Sequence, residues 1–271
     1  MKVMLGSKQA AIDFLAETMF AAVREQQQSG ELRPVVLPTG STYEGEQGVY
    51  ALFAAKAHAA GLQLTSFPFF NMDAYLERAP GNGELLLLAP DNPVGYQQFM
   101  SKELFLRLGT HPRNHHFPCP PRDGREHGEG TLCRAYTCRL EAAGGACIVF
   151  GGIGAPVPHV AFNPPGTQAG DPARIVRLST EERQTNADIY HLPLEQIPEY
   201  AATIGLREIM AADQVVLAAF GSRKLGIVRQ CLKDGSTTCP AGFVLAQHKN
   251  AMLVLDNDAA PMDAIREFEQ L

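Results

Sequence analysis

A short motif near the start of the chain combines a glycine with two hydroxyl side chains directly after an apolar run. Residues 35–42 read Val-Val-Leu-Pro-Thr-Gly-Ser-Thr. Gly40 would let a ligand approach the backbone, Ser41 and Thr42 offer hydroxyls, and the N-terminus of a following helix would present free N–H groups to a phosphate. Ser and Thr are also preferred N-cap residues, so the motif alone fits a phosphate cradle and a simple helix cap equally well.

A single carboxylate, Asp73, follows the next apolar run, within Phe-Asn-Met-Asp-Ala-Tyr at residues 70–75. A carboxyl group among apolar neighbours can have a raised pKa and act as a general base. The alternative is that Asn71 or Asp73 only caps a turn or helix.

One histidine and two basic residues occupy similar positions later in the chain. His159 comes shortly after Gly-Gly-Ile-Gly at residues 151–154, and Lys224 ends Gly-Ser-Arg-Lys at residues 221–224. Lys224 and Arg183 are candidates to pair with a phosphate. A structural histidine and a solvated basic turn are the alternatives. The cysteines and histidines between residues 115 and 138 lack the paired spacing of a zinc site.

Apolar runs that alternate with helical patterns define the fold class. They predict an α/β protein of one domain, residues 1–271, in which a mostly parallel sheet is covered by helices on both faces. Ligands of such sheets bind at the carboxyl ends of the strands, near a reversal of strand order. Strands are predicted at 34–37, 66–72, 146–150, 174–178, 215–220 and 251–255, and helices at 8–28, 44–60, 94–108, 132–143, 205–212, 223–232 and 261–271, with a further helix that starts at Ser179.

Composition excludes several classes of protein. The 271 residues carry a formal net charge of -6, which argues against nucleic acid as the main partner. Hydrophobic residues make up 45% of the chain, which is typical of a globular protein and not of a disordered one. The sequence contains no apolar run of membrane-spanning length and no signal peptide, so we expect a cytoplasmic protein whose six cysteines are thiols.

Taken together and in this order, the motifs resemble those of the glucosamine-6-phosphate deaminase/isomerase family, which is related to the 6-phosphogluconolactonases. The residues that carry the resemblance are 37–42, 70–75, 151–154, 159–163, 221–224 and 247–249. The resemblance spans nearly the whole chain. It implies a Rossmann-like three-layer sandwich, a small-molecule sugar phosphate as the partner, no cofactor and no metal, and a possible homo-oligomer.

The resemblance also implies roles for individual residues. The residue that matches Asp73 moves a proton between C1 and C2 of the open-chain sugar, and the histidine that matches His159 helps to open the sugar ring. In deaminases the C2 amine is then lost as ammonia. The matches to the phosphate site are Gly40, Ser41, Thr42, Arg183 and Lys224.

The segment around His159 departs from the family pattern. The family usually has Gly-x-Asp-Gly-His and then Glu-Pro after Phe-Asn, whereas this chain has Ala-Pro-Val-Pro-His at 155–159 and Pro-Pro at 164–165. Both carboxylates that normally accompany the histidine are therefore missing. A neighbouring carboxylate orients an imidazole and raises its pKa, so we expect His159 to be a weaker proton shuttle unless a residue such as Asp171 folds back toward it.

Three functions remain open at this point. The first is a hexosamine 6-phosphate isomerase or deaminase with altered chemistry, which acts through Asp73 and His159. The second is a sugar-phosphate-binding regulatory protein without turnover, which the missing carboxylates would explain. The third is a hydrolase similar to the 6-phosphogluconolactonases, although the Asn-Met-Asp motif is closer to that of the deaminases.

Overall fold

A seven-stranded parallel sheet forms the centre of the protein. The computed structural model describes residues 1–155 and 157–268. The strand order is β1-β11-β10-β7-β2-β3-β6, and every neighbouring pair is parallel. The strands are β1 (Lys2–Gly6), β2 (Val35–Leu37), β3 (Phe69–Asn71), β6 (His115–His116), β7 (Ile148–Gly152), β10 (Gln214–Ala219) and β11 (Ala251–Asp256).

A smaller antiparallel sheet packs beside the parallel one, in the order β5-β4-β9-β8. Its strands are β4 (Asp73–Arg78), β5 (Leu85–Leu87), β8 (Arg174–Arg177) and β9 (Tyr200–Thr203). The expectation of a mostly parallel sheet is confirmed, but the sequence did not predict this second sheet. Only Met72 separates β3 from β4, so the predicted strand at 66–72 ends where β4 begins, and β4 itself was not predicted.

Helices cover both faces of the parallel sheet. They are α1 (Lys8–Ser29), α2 (Val49–Ala59), α3 (Tyr96–Met100), a π-helical turn (Ser101–Phe105), α4 (Leu106–Leu108), α5 (Arg134–Ala142), α6 (Thr180–Tyr190), α7 (Leu206–Ala211), α8 (Leu225–Lys233), α9 (Pro240–Gln247) and α10 (Met262–Phe268). Short 3₁₀ turns occupy Pro112–Asn114, Leu194–Gln196 and Ser222–Lys224. The end of the last predicted helix, 269–271, lies outside the described residues.

Alternating side chains along each parallel strand build two separate cores. Val35 and Leu37 join a cluster with α1, α2 and the helical segment that runs from α3 to α4. Val36 and Leu217 face the other way and pack with α5, α7, α8, α9 and one face of the antiparallel sheet. This burial on both faces explains why the strands are short, continuous apolar runs.

The order of the strands reverses between β2 and β7. From β2 the chain proceeds outward through β3 to β6, and from β7 it proceeds in the opposite direction through β10 to β11. A crevice therefore opens beyond the carboxyl ends of β2 and β7, which is the general ligand site of such sheets. The motif at 37–42 and the motif at 151–154 lie at the ends of these two strands.

One predicted boundary near this crevice is wrong. The sequence placed a helix start at residue 44, close to Ser41 and Thr42, but α2 begins at Val49 with Gly48 as its N-cap. A Cβ on Gly48 would lie 2.1 Å from the Glu44 carbonyl oxygen, so the turn that precedes α2 requires glycine at this position. The residues between 38 and 48 form a loop, and the N-terminus of α2 is not at Gly40.

Within the described residues, no helix is long and apolar enough to span a membrane.

We predict that the internal strand β10 contributes strongly to the stability of this fold. Leu217 is fully buried, so Leu217→Ala should lower the free energy of unfolding by about 2–5 kcal/mol in chemical denaturation. Leu106→Ala is the matched control, because Leu106 is 76% exposed and should change stability by less than about 0.5 kcal/mol. Equal losses in the two variants would contradict the assignment of this core.

Candidate active site

The crevice contains a cavity of about 240 Å³ to which seven segments of the chain contribute. They are the loop after β2, the junction between β3 and β4, helix α3, the loop after β7, one face of α6, the end of β10 and the residues just before α8. Six of the seven residues that the sequence predicts at a functional site line this cavity. They are Gly40, Ser41, Thr42, Asp73, His159 and Lys224. Arg183 is the exception.

Asp73 lies at the bottom of this crevice as the first residue of β4. Its neighbour Met72 donates from its backbone N–H to the Leu37 carbonyl (2.9 Å) and accepts from the Ile204 N–H (2.6 Å), so both sheets fix the backbone here. Asp73 is 7% exposed. Burial, and secondly the charge of Glu182, raise its pKa to about 8. The group is therefore suited to accept and return a proton near neutral pH.

His159 lies across the loop after β7, directly over Gly154. A Cβ on Gly154 would be 1.8 Å from Nε2 of the imidazole, so only glycine leaves room for the ring. The Gly154 N–H donates to the His159 carbonyl (2.8 Å) and closes this turn. Burial, and then the nearby Lys224, lower the His159 pKa to about 4. The ring is therefore neutral at physiological pH.

The chain after His159 is anchored to the antiparallel sheet. The buried Asn163 donates from Nδ2 to the carbonyls of Val160 (3.0 Å) and Ile204 (2.8 Å). Thr203 accepts from the Phe162 N–H through its hydroxyl (3.1 Å). These bonds fix the segment that carries His159, and they satisfy the buried Asn163 side chain, which does not line the cavity.

The loop after β2 brings Gly40, Ser41 and Thr42 to the wall of the cavity. Tyr43 stabilises the loop, because its hydroxyl donates to the Gly151 carbonyl (3.3 Å) and its N–H donates to the Gly40 carbonyl (3.0 Å). Farther along the loop, the Gly45 N–H donates to the buried Glu103 carboxylate on the π-helical turn (2.9 Å). The predicted phosphate site at 40–42 is therefore a loop held by these hydrogen bonds, and it is not the N-terminus of a helix.

Lys224 reaches the cavity from the 3₁₀ turn before α8. Its Nζ donates to the Ile153 carbonyl (2.7 Å), which holds the ammonium beside the loop that follows β7. Burial lowers the Lys224 pKa. The turn itself is held by Asp256, whose two carboxylate oxygens accept from the Gly221 N–H at 3.0 and 2.9 Å.

Arg183, expected in the phosphate site, is not brought to the cavity. Its guanidinium donates to the Leu194 carbonyl (3.0 Å) and, from both Nε and Nη2, to the Ile197 carbonyl (3.1 and 2.8 Å). It lines a separate groove beside residues 195–200. Arg183 therefore ties α6 to the segment before β9, and Lys224 is the one Lys or Arg among the described residues that line the cavity.

One face of α6 lines the cavity. The helix itself was predicted from the sequence, but its place in the cavity wall was not. Glu182, Thr185, Asn186 and Ile189 follow the i, i+3, i+4, i+7 spacing of a helix face. The sequence pattern predicted only that a helix starts at Ser179, and Ser179 does cap α6, since its hydroxyl accepts from the Glu182 N–H (3.1 Å). The polar face at this spacing was the signal that could have revealed the lining.

Glu182 also supplies a carboxylate next to the histidine. Its Oε1 lies 3.4 Å from His159 Nε2, and both side chains are largely buried. Burial raises the Glu182 pKa to about 7. Asp171, the expected candidate for this position, instead accepts from the Gln168 N–H in a local turn (2.9 Å). Among the described residues, no group of three or more His, Cys, Asp or Glu side chains could hold a metal ion.

Comparisons with known proteins identify relatives of this chain. No family model matches the chain. The chain is 32% identical over 209 residues to a glucosamine-6-phosphate deaminase of Lysinibacillus sphaericus, covering 76% of this chain and 81% of that protein. It is 27% identical over 247 residues to the glucosamine-6-phosphate deaminase of Caenorhabditis elegans, covering 91% and 86%.

Solved structures show the same fold. A monomeric glucosamine-6-phosphate deaminase superposes with a TM-score of 0.80 at 24% identity, over 96% of this chain and 98% of that one. A 6-phosphogluconolactonase from Thermotoga maritima superposes with a TM-score of 0.65 at 17% identity, over 94% and 99%. The sequence identity to the Lysinibacillus protein, together with its coverage, shows that this chain belongs to the glucosamine-6-phosphate deaminase family.

Proposed function

We propose that this protein isomerises and deaminates a hexosamine 6-phosphate, with glucosamine 6-phosphate as the first candidate, in carbohydrate metabolism. The observation that carries the proposal is the position of Asp73. A buried carboxyl group with a pKa near 8 lies in the same cavity as His159, Lys224 and the hydroxyl-bearing loop that begins at Gly40. The relatives named glucosamine-6-phosphate deaminase support the choice of substrate.

The residues support the following chemistry. His159 assists opening of the sugar ring, which exposes the C1 aldehyde. The Asp73 carboxylate then removes the C2 proton, and the electron pair of that C–H bond forms a C1=C2 double bond. The π pair of the C1 carbonyl moves to O1, which takes a proton from solvent. Asp73 returns the proton to C1 while the nitrogen lone pair forms a protonated imine at C2. Water adds to C2, the C2–N bond then breaks as the C2 carbonyl forms, and the nitrogen leaves as ammonia. One group can carry the proton both ways because its raised pKa makes both protonation states accessible near neutral pH.

Lys224 and the loop at 40–42 are the groups we assign to the phosphate. The Lys224 ammonium uses one of its three hydrogens on Ile153, so two remain for phosphate oxygens. Ser41 and Thr42 add hydroxyl donors on the cavity wall. Arg183 has no part in this assignment, because its guanidinium is occupied by backbone carbonyls outside the cavity.

The first prediction concerns turnover. Asp73→Asn should reduce conversion of glucosamine 6-phosphate, and exchange of the C2 proton with D₂O, by about 10²–10⁴-fold, because the amide cannot accept the proton. An NMR time course in D₂O follows both reactions, with galactosamine 6-phosphate and 6-phosphogluconolactone as further substrates. Asp258→Asn, at an exposed position, is the control.

Other results of that time course would overturn the proposal. Binding without exchange on any sugar in the unaltered protein would favour the regulatory alternative. Hydrolysis of the lactone above its spontaneous rate, with no reaction of the amino sugars, would favour the lactonase alternative. Turnover that is unchanged in Asp73→Asn would exclude Asp73 as the base.

The second prediction concerns Gly154. Gly154→Ala should lower turnover about 10²-fold while the protein stays folded, because the new methyl group displaces the His159 ring. Gly170→Ala is the control, since a Cβ there meets no atom within 4 Å. Steady-state kinetics with a melting temperature for each variant checks this, and full activity in Gly154→Ala would show that His159 is not needed where it lies.

The third prediction concerns stability and pH. The Asp73 pKa rises from 3.8 to about 8 on folding, so the folded state retains a proton that the unfolded state has lost. The free energy of unfolding should therefore fall as pH rises from about 4 to 8, by up to about 1.4 kcal/mol per pH unit. Asp73→Asn should melt at a higher temperature than the unaltered protein at pH 8, and the difference should vanish toward pH 4. Asp258→Asn should show no such difference, and a constant gap at all pH values would contradict the buried carboxyl.

A further inference from the structure

Glu182 is a largely buried carboxylate in the cavity, distinct from the proposed base Asp73. Its side chain is 17% exposed, and that of His159, the basic group it meets, is 15% exposed. The separation of 3.4 Å between Oε1 and Nε2 is within ion-pair distance, yet Oε1 accepts no hydrogen bond from any described residue. A buried carboxylate oxygen without a donor is costly, so a specific role explains its presence better than stability does.

Hydrogen bonds at two residues of α6 fix the orientation of the helix and thereby the contact between Glu182 and His159. Ser179 caps the helix at the Glu182 N–H, which fixes the first turn. The next residue, Arg183, points to the opposite side and is held by the Leu194 and Ile197 carbonyls. With these two anchors the helix cannot rotate, and Glu182 must face the cavity.

The groups that face Glu182 leave His159 as its natural partner. Asp73 on β4 shares the cavity and carries the same sign of charge, as does Glu44 on the loop after β2. Lys224, before α8, lines the cavity and donates to the Ile153 carbonyl, but it forms no ion pair with Glu182 within the described residues. Within the described part of the chain, no Lys or Arg forms an ion pair with Glu182.

We propose that Glu182 is the positioning residue of His159, and that it replaces, from helix α6, the carboxylates that the histidine segment of this chain lacks. This inference rests on the proposed function, since it concerns the ring-opening step of that reaction. The histidine segment lacks its usual carboxylates at 155–159 and 164–165, and in this proposal Glu182 on α6 supplies a carboxylate next to His159 in their place.

The proton balance of ring opening shows why a carboxylate is needed. The imidazole of His159 takes the proton of the anomeric hydroxyl while the C1–O1 bond becomes a carbonyl. The electron pair of the C1–O5 bond moves to the ring oxygen, which then receives the same proton from the imidazolium. The imidazolium intermediate is buried beside Lys224, and both features disfavour its charge. An ionised Glu182 at 3.4 Å offsets that cost.

The test is a ¹⁵N NMR titration of the histidine side chains in the whole protein, which needs no turnover. His159 is assigned by the signal lost in His159→Gln. Its nitrogen shifts should show a step centred near pH 7 as Glu182 ionises. The step should disappear in Glu182→Gln, persist in Asp73→Asn, and persist in Glu181→Gln, the control one residue away on the exposed side of α6.

Kinetics on glucosamine 6-phosphate gives the second readout. Glu182→Gln should lower kcat about 10²-fold with little change in KM, whereas Glu181→Gln should match the unaltered protein. Because Glu182 raises the Asp73 pKa, the acid limb of the pH–rate profile, where Asp73 loses its proton, should also move to lower pH in Glu182→Gln. Glu182→Asp, which keeps the charge but withdraws it by one methylene, should retain a smaller NMR step and an intermediate kcat.

The outcomes separate this inference from the proposed function. Loss of the NMR step in Glu182→Gln supports the pairing even where no sugar is turned over, in which case the proposed function alone fails. A step that persists in a folded Glu182→Gln overturns the pairing. Wild-type kcat and pH profile in that variant, with turnover intact in the unaltered protein, overturns the positioning role.

Discussion

The site depends on one backbone junction, where the chain leaves the parallel sheet at Asn71 and enters the antiparallel sheet at Asp73. Met72 is hydrogen-bonded to Leu37 on one side and to Ile204 on the other, so both sheets fix the backbone between the two strands. A carboxylate placed immediately after such a clamped residue cannot swing out into water. Its burial, and hence its raised pKa, is a consequence of how the two sheets join.

Much of this arrangement could be predicted from sequence because its signals are local. Strands buried on both faces read as apolar runs, and the glycine-rich turns that follow them mark the carboxyl edge of the sheet. Asp73, His159 and Lys224 each come shortly after such a run, so one rule of topology brings them together. The expected α/β fold with a mostly parallel sheet is accordingly confirmed.

Features that depend on tertiary contacts could not be predicted in the same way. Arg183 and Glu182 are adjacent in sequence, and either could have faced the cavity. The choice is made by carbonyls at 194 and 197, in a segment whose position the sequence pattern does not specify. The antiparallel sheet was missed for a related reason, because β4 and β9 pair across more than one hundred residues and β4 follows β3 with a single residue between them.

Burying several ionisable groups in the cavity is unfavourable for folding, and this cost indicates a functional role for them. Two carboxylates with raised pKa values share a small volume with one lysine, and one imidazole is kept neutral by burial. A fold selected for stability alone would pair or remove these groups, since unpaired buried charge is unfavourable. Keeping Asp73 near pKa 8 and Glu182 near pKa 7 leaves protons mobile at neutral pH. Proton transfer on a bound sugar requires groups that gain and lose protons readily. The burial that is unfavourable for folding therefore also produces the pKa values that the proposed chemistry needs.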